Sequence, residues 1–191
     1  MKVLALNGSP RKNGNTAMLI GMVLEKLTKE GIETELVQLG GRKIHGCKAC
    51  MKCFENQNKH CSIDNDILNE LMDKMIKADG IIIGSPTYFA NVTTEVKALI
   101  DRAGLVAIAN GQLFRRKVGV AVAAVRRAGA TDVVDAINKF FFINQFIVPG
   151  SVYWNMGFGL DKQEVKNDEE GVNTMNILGE NMAWLLQKLN G

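Results

Sequence analysis

No stretch of this sequence approaches the roughly 18–20 consecutive apolar residues that a membrane span needs, although hydrophobic residues make up 47% of the 191. Neither sign of charge dominates: 23 Lys and Arg face 20 Asp and Glu, for a formal net charge of +3. The charges are interspersed, so neither a nucleic-acid nor a membrane-surface partner is expected. Histidine is nearly absent, with only His45 and His60, and no repeat or low-complexity segment appears. The opening segment Met1–Leu6 is too short for a signal-peptide core, and no small-residue cleavage site follows it. The expectation is a reducing cytoplasm, where disulfides are disfavoured.

What is present is an alternation of apolar runs and amphipathic stretches. Val3–Leu6, Glu33–Leu39, Gly80–Gly84, Lys117–Ala124 and Phe146–Val148 read as strands, most of them bounded by glycine or proline. Between them, Met18 to Leu27, Ile67–Lys77, Thr93–Arg102 and Thr131–Ile143 carry helical spacing, and Val172–Leu189 supplies a last helix after an excursion over Ser151–Gly171. Strands alternating with helices predict an α/β fold, a parallel sheet covered on both faces. Right-handed crossovers leave few topologies, and five strands suit the order 2-1-3-4-5. The length suits one domain, 1–191, with a cysteine-rich insertion at about 40–64. Ligands bind such sheets beyond the carboxyl ends of the strands, where the strand order reverses. The functional loops are therefore expected at Gly8–Thr16, Ser85–Asn91 and Val125–Gly129.

The first of these loops combines turn formers, amides, hydroxyls and two cations just ahead of a helix. A helix N-terminus offers unpaired N–H groups and partial positive charge, which suits a phosphate. Ser9, Asn13, Asn15 and Thr16 add polar side chains and Arg11 a charged fork. The spacing excludes two common motifs. Five residues separate Gly8 from Gly14 and no Lys precedes Thr16, so it is not a P-loop; G-x-G-x-x-G is absent too. Strand 2 ends on Gln38, where a dinucleotide fold would place an acidic residue. A mononucleotide phosphate fits better.

The second loop, Ser85-Pro86-Thr87-Tyr88-Phe89-Ala90-Asn91, sets two aromatics at the ligand edge, where a flat ring would cover them. Thr87 and Asn91 can bond such a ring's polar edge; alternatively Tyr88 and Phe89 pack on a neighbouring loop or subunit. In the third loop, Arg126 and Arg127 are candidates to stabilise negative charge on a reduced ring or to steer a nucleotide phosphate, with solvated surface arginines the alternative.

Together these segments resemble the NAD(P)H-dependent FMN reductase family of the flavodoxin-like superfamily. The resemblance rests on Leu6–Arg11 through Gly14-Asn15-Thr16, on Gly84–Phe89, and on Arg126-Arg127, and runs from Met1 to about Pro149. It implies a flavodoxin-like fold and FMN as cofactor, with phosphate binding by Ser9, Arg11, Asn15 and Thr16, and isoalloxazine contacts from Pro86 to Asn91.

All four cysteines, Cys47, Cys50, Cys53 and Cys61, fall within fifteen residues. Their pattern narrows the resemblance to the iron–sulfur flavoproteins, which carry a compact motif of this form around a [4Fe–4S] cluster. Three cysteines at spacings of three can wrap a cubane while a fourth arrives from further along. The gap to Cys61 is at the long end for such a motif, and His60 beside it is an alternative ligand; two other occupancies stay open, zinc or another metal, and unmetallated thiols. The expected activity is electron transfer through FMN from NAD(P)H or a reduced protein donor such as a ferredoxin. The long cysteine loop at the sheet edge also predicts a homodimer or homotetramer, each cysteine site facing a neighbouring flavin. No side-chain nucleophile or general base is expected to be catalytic.

Overall fold

The computed structural model describes residues Met1–Asn190. Five parallel strands form one sheet in the order β2-β1-β3-β4-β5: β1 Lys2–Asn7, β2 Glu33–Gln38, β3 Gly80–Pro86, β4 Val118–Val125 and β5 Met156–Phe158. The helices are α1 Asn15–Lys29, α2 Lys52–Asn56, α3 Leu68–Lys77, α4 Thr94–Ala109, α5 Ala130–Ile143 and α6 Glu169–Asn190. No helix among the described residues is long and apolar enough to cross a membrane.

The two-residue period of the strands divides the core. Val3 and Ala5 of β1, Ile82 of β3 and Val120 and Val122 of β4 pack under α1 and α6. Leu4, Leu6, Ile81, Ile83, Ala121 and Ala123 face the other way, under α3, α4 and α5. Both faces of the central strands are covered, which is why β1, β3 and β4 read as unbroken apolar runs rather than alternating ones. β2 lies at an edge, and none of its residues is fully buried. Its exposed Glu33 and half-buried Glu35 pair with Lys2, at 3.1 and 3.0 Å.

The fifth strand departs from expectation. Phe146–Val148 is not a strand; only Ile147 bridges to Val118, at the start of β4. Phe146 instead turns into an aromatic cluster, its ring 4.8 Å from Phe141 and 5.6 Å from Phe114. Pro149 has no N–H for a ladder, and the chain loops out until Met156–Phe158 pairs with Ala123–Val125 at the far end of β4. The fifth position is thus filled in two pieces. Burial of the Phe146 ring outweighs the strand propensity of its neighbours.

α4 also runs seven residues beyond the expected Arg102. Gly104 does not stop it, because its bare Cα faces the Phe140 ring and Asn144. The cysteine loop contains the short helix α2 where no regular structure is expected. That helix is entered and left through left-handed residues, Met51 at φ 58° and Gln57 at φ 46°.

Candidate functional site

The carboxyl ends of β1, β3 and β4 open on a cavity of about 230 Å3. Eight residues singled out from the sequence line it: Ser9, Arg11, Asn15, Thr16, Pro86, Thr87, Tyr88 and Arg126. Local geometry explains how the first loop gets there. Ser9 donates its N–H to Asn7 Oδ1 (3.1 Å) and accepts from Arg11 N–H through its hydroxyl (3.2 Å). Gly14 N–H closes a turn on the Arg11 carbonyl (3.0 Å) and Gly14 then serves as the N-cap of α1. No side chain caps that helix and no acidic residue sits in its first turn. Its leading N–H groups and positive end are left for an anion.

Two buried polar atoms on the cavity wall have no partner, Asn15 Oδ1 and Thr87 Oγ1. Asn15 commits its amide to the Asp161 carbonyl (2.9 Å), so Oδ1 remains as an acceptor awaiting a hydroxyl or N–H. An orphaned buried polar atom costs about 1–3 kcal/mol. Two of the unpartnered atoms, Asn15 Oδ1 and Thr87 Oγ1, border this one cavity.

Four expected residues fall elsewhere. Asn13 and Arg127 are exposed and do not line the cavity that Arg126 joins. Tyr88 and Asn91 exchange backbone hydrogen bonds at 2.9 and 3.0 Å, closing a tight turn with Phe89 and Ala90 at its tip. Both tip residues have positive φ, 49° and 56°, and Phe89 is fully exposed. Asn91 spends its carboxamide on the Val92 N–H (2.8 Å), a turn-forming role.

The sequence reading missed the wall contributed from beyond β5. Gly159 and Leu160 line the cavity, and Leu160 O lies 3.5 Å from Arg11 Nη1. Gly159 is required there because a Cβ would stand 2.7 Å from both Asn15 Nδ2 and the Val165 backbone nitrogen. No signal in the sequence set this glycine apart, because the constraint comes from neighbours distant along the chain.

Gly40, at the base of the cysteine loop, is as tightly confined. A Cβ on it would lie 2.3–2.5 Å from the Ser9 and Gly8 backbone. Gln38 reinforces the junction, donating to the Gly40 carbonyl (2.8 Å) and the Ser9 carbonyl. Gly40→Ala should therefore push the Ser9 loop outward and cost about 1–3 kcal/mol, read as a lower midpoint in urea unfolding. An unchanged midpoint would mean that the junction is slack.

The four cysteines are free thiols that border one small, largely apolar recess with Arg102, Leu105 and Val106 of α4. Cys47 and Cys50 are exposed, Cys61 is half-buried and Cys53 belongs to the core. The Ser62 hydroxyl, 3.3 Å away, and the Lys52 backbone amide hold the Cys50 thiol below its ordinary pKa, while burial pushes Cys53 up. Among the described residues no three His, Cys, Asp or Glu side chains close on a point that would hold a single metal ion. His60 is engaged with Asp73 at 2.8 Å rather than turned to the recess. Arg102 and Asp66, both with no side-chain exposure, form a 2.5 Å ion pair beneath the loop, a pairing with no signature in the sequence.

Comparison with known proteins places the chain. The family model described as NADPH-dependent FMN reductase matches residues 1–161. An iron–sulfur flavoprotein of Methanocaldococcus jannaschii is 39% identical over 190 residues, covering 96% of each chain. One from Methanosarcina thermophila is 33% identical, covering 98% of this chain and 96% of its own. Among solved structures, RosB with a bound formylated riboflavin phosphate superposes with a TM-score of 0.78 at 21% identity, over 99% of this chain and 80% of that one. A WrbA-like flavodoxin from Agrobacterium tumefaciens gives 0.68 at 13% identity, over 98% of each. At those identities the two structures speak to the fold, which is flavodoxin-like. The family match and the near full-length relatives go further: the chain belongs to the NADPH-dependent FMN reductase family and, within it, stands with the iron–sulfur flavoproteins.

Proposed function

We propose that the chain is an FMN-dependent oxidoreductase in which the cavity over β1, β3 and β4 holds the flavin and the four cysteines hold a [4Fe–4S] cluster. The observation that carries the flavin assignment is the pair of unpartnered polar atoms, Asn15 Oδ1 and Thr87 Oγ1, bordering the cavity beside the uncapped end of α1. Ser9, Thr16 and the α1 amides suit the phosphate, and Arg11 adds charge at the rim. Asn15 Oδ1 suits a ribityl hydroxyl, and Pro86, Thr87 and Tyr88 suit the ring and its polar edge. Bound FMN would supply two-electron acceptance and one-electron release, chemistry that belongs to the cofactor. Arg126 brings a positive charge to the cavity wall, where it would favour negative charge on a reduced ring or meet a nucleotide phosphate.

The cluster reading draws on the donor set, four free cysteines bordering one recess, and on the iron–sulfur flavoproteins among the relatives. A cubane takes one thiolate on each of its four iron atoms, and four cysteines supply that number. Cys53→Ser should abolish iron and the broad visible absorption, yet leave FMN bound, because the flavin loops do not include it. Loss of iron and flavin together would mean that the two sites are not independent, and zinc in anaerobically prepared wild type would remove the cluster.

Electrons are proposed to enter from NADPH or NADH. Anaerobic titration with either nucleotide should bleach the flavin bands. Bleaching by a reduced ferredoxin alone would make the donor a protein.

A second copy of the chain is proposed to cover the β5 edge. There the looped-out segment and α5 border a cavity of about 430 Å3, flanked by exposed Phe142, Tyr153 and Trp154. Such a cluster of exposed rings is unusual on a monomer. Sedimentation should show a dimer or larger that Trp154→Glu weakens; a monomeric wild type would overturn the reading.

A further inference from the structure

α4 touches both candidate sites. At its start, Thr93 donates its hydroxyl to the Gly8 carbonyl and its N–H to the Ser85 hydroxyl, each at 3.0 Å, gripping two of the flavin loops at once. Glu95 accepts the Gly41 N–H (3.0 Å) at the base of the cysteine loop. Nine residues on from Thr93, about 14 Å along the helix, Arg102 reaches the cysteine loop from below. Its Nη1 donates to Asp66 Oδ2 (2.5 Å) and to the His45 carbonyl (3.1 Å), and its Nη2 to the Ile63 carbonyl (2.8 Å). Its Nε–H is aimed at Cys61 Sγ, 3.4 Å away.

Anchoring a loop does not by itself call for a buried guanidinium. Well-packed apolar residues in place of a buried ion pair are often as stabilising or more so. The contact that anchoring leaves unexplained is the one to sulfur. A thiol is a weak acceptor, whereas a thiolate bonded to a metal carries charge that an N–H and a buried cation both favour. The interaction therefore gains strength in the loaded protein.

We propose that Arg102 is a positioning residue of the cysteine centre: its Nε–H fixes the Cys61 sulfur and, as a hydrogen-bond donor, stabilises the negative charge of the thiolate-bound group. The inference rests on the cluster reading above and extends it. Adding an electron makes such a centre more negative, so Arg102 favours the reduced form and raises the reduction potential. Through Thr93 the same helix keeps the sulfur in register with the flavin loops.

The test uses the anaerobically prepared holoprotein and the double variant Arg102→Met with Asp66→Leu, which removes both buried charges and so leaves neither unpaired. A redox titration followed by electron paramagnetic resonance should show the centre's midpoint falling by about 59 mV, a tenfold change for one electron, with iron content retained. Arg102→Lys, which keeps the charge without the fork, should fall between the two. An unchanged midpoint in a double variant that retains its iron overturns the proposal. Should wild type take up no iron at all, the cluster reading fails separately, and the contact is read in the metal-free protein. There the Arg102 Nε–H proton resonance should be protected from exchange and should shift on Cys61→Ala. A resonance indifferent to that substitution overturns the Arg102 assignment on its own.

Discussion

Arg102→Met alone should lower unfolding stability by about 3–5 kcal/mol, measured by urea or thermal unfolding. The reason is what it leaves behind. Asp66 has no side-chain exposure, so without the guanidinium its carboxylate is a buried, unpaired charge. The His45 and Ile63 carbonyls lose their donors at the same time, which frees the chain on both sides of the cysteines. Asp66→Leu added to Arg102→Met should recover most of the loss, since two apolar side chains cost less there than one orphaned ion. The pair also sets a pH dependence. Burial alone would raise the Asp66 pKa, but the Arg102 guanidinium and the His45 and Leu68 amides prevail and hold it below the usual carboxylate range. The folded pKa is depressed, so this contribution is present above about pH 3.9 and is lost as pH falls through the lower folded value. The double variant should lack that acid-sensitive component. A single variant as stable as wild type would show that water reaches Asp66.

β1, β3 and β4 were legible because both of their faces are buried, and burial writes itself as continuous apolar runs: Val3–Leu6 and Ile81–Ile83 admit little else. The edge strand β2 was read instead from its position between α1 and the glycines that follow it. Two competing demands hid the fifth strand. Phe146 has the composition of a strand residue but is drawn into the Phe114, Phe140 and Phe141 cluster. Met156–Phe158 is three residues long, too short to leave a period. The cavity walls from the loops after β1 and β3 were readable because their residue types are unusual for turns. The wall from Gly159 and Leu160 was not, since a glycine required by a neighbour's approach looks like any other glycine until the neighbour is placed. Phe89 and Asn91 stand outside the cavity lining for a local reason. Their residue types suit a ring site, yet Asn91 is consumed by its own turn and Phe89 is carried outward at the tip. Arg102 was hidden for a third reason. A single arginine in an amphipathic helix reads as a surface charge, and only the tertiary placement of Asp66 and Cys61 makes it a buried one.

The proposed phosphate cradle yields the second large effect. Thr16→Val combined with Arg11→Ala should weaken FMN binding by about 1–3 kcal/mol for each side chain, so the pair should lose well over tenfold in affinity, measured by quenching of FMN fluorescence. Thr16 is 1% exposed in the first turn of α1. A Cβ on Gly84 would stand 3.1 Å from its methyl carbon, so the methyl is seated on β3 and the hydroxyl is turned elsewhere. Valine preserves that methyl and the shape of the side chain, so the substitution removes the hydroxyl with little disturbance of packing. Arg11 is exposed, and its one contact across the cavity, to the Leu160 carbonyl at 3.5 Å, is long and readily exchanged for an anion. Its loss should cost affinity without costing stability, and the cost should shrink at high salt because an exposed charge is screened. Thr16→Val should be indifferent to salt. That difference separates the two contributions within one series of titrations. Unchanged FMN affinity in the double variant, or a released cofactor that chromatography identifies as FAD, would move the phosphate away from the start of α1.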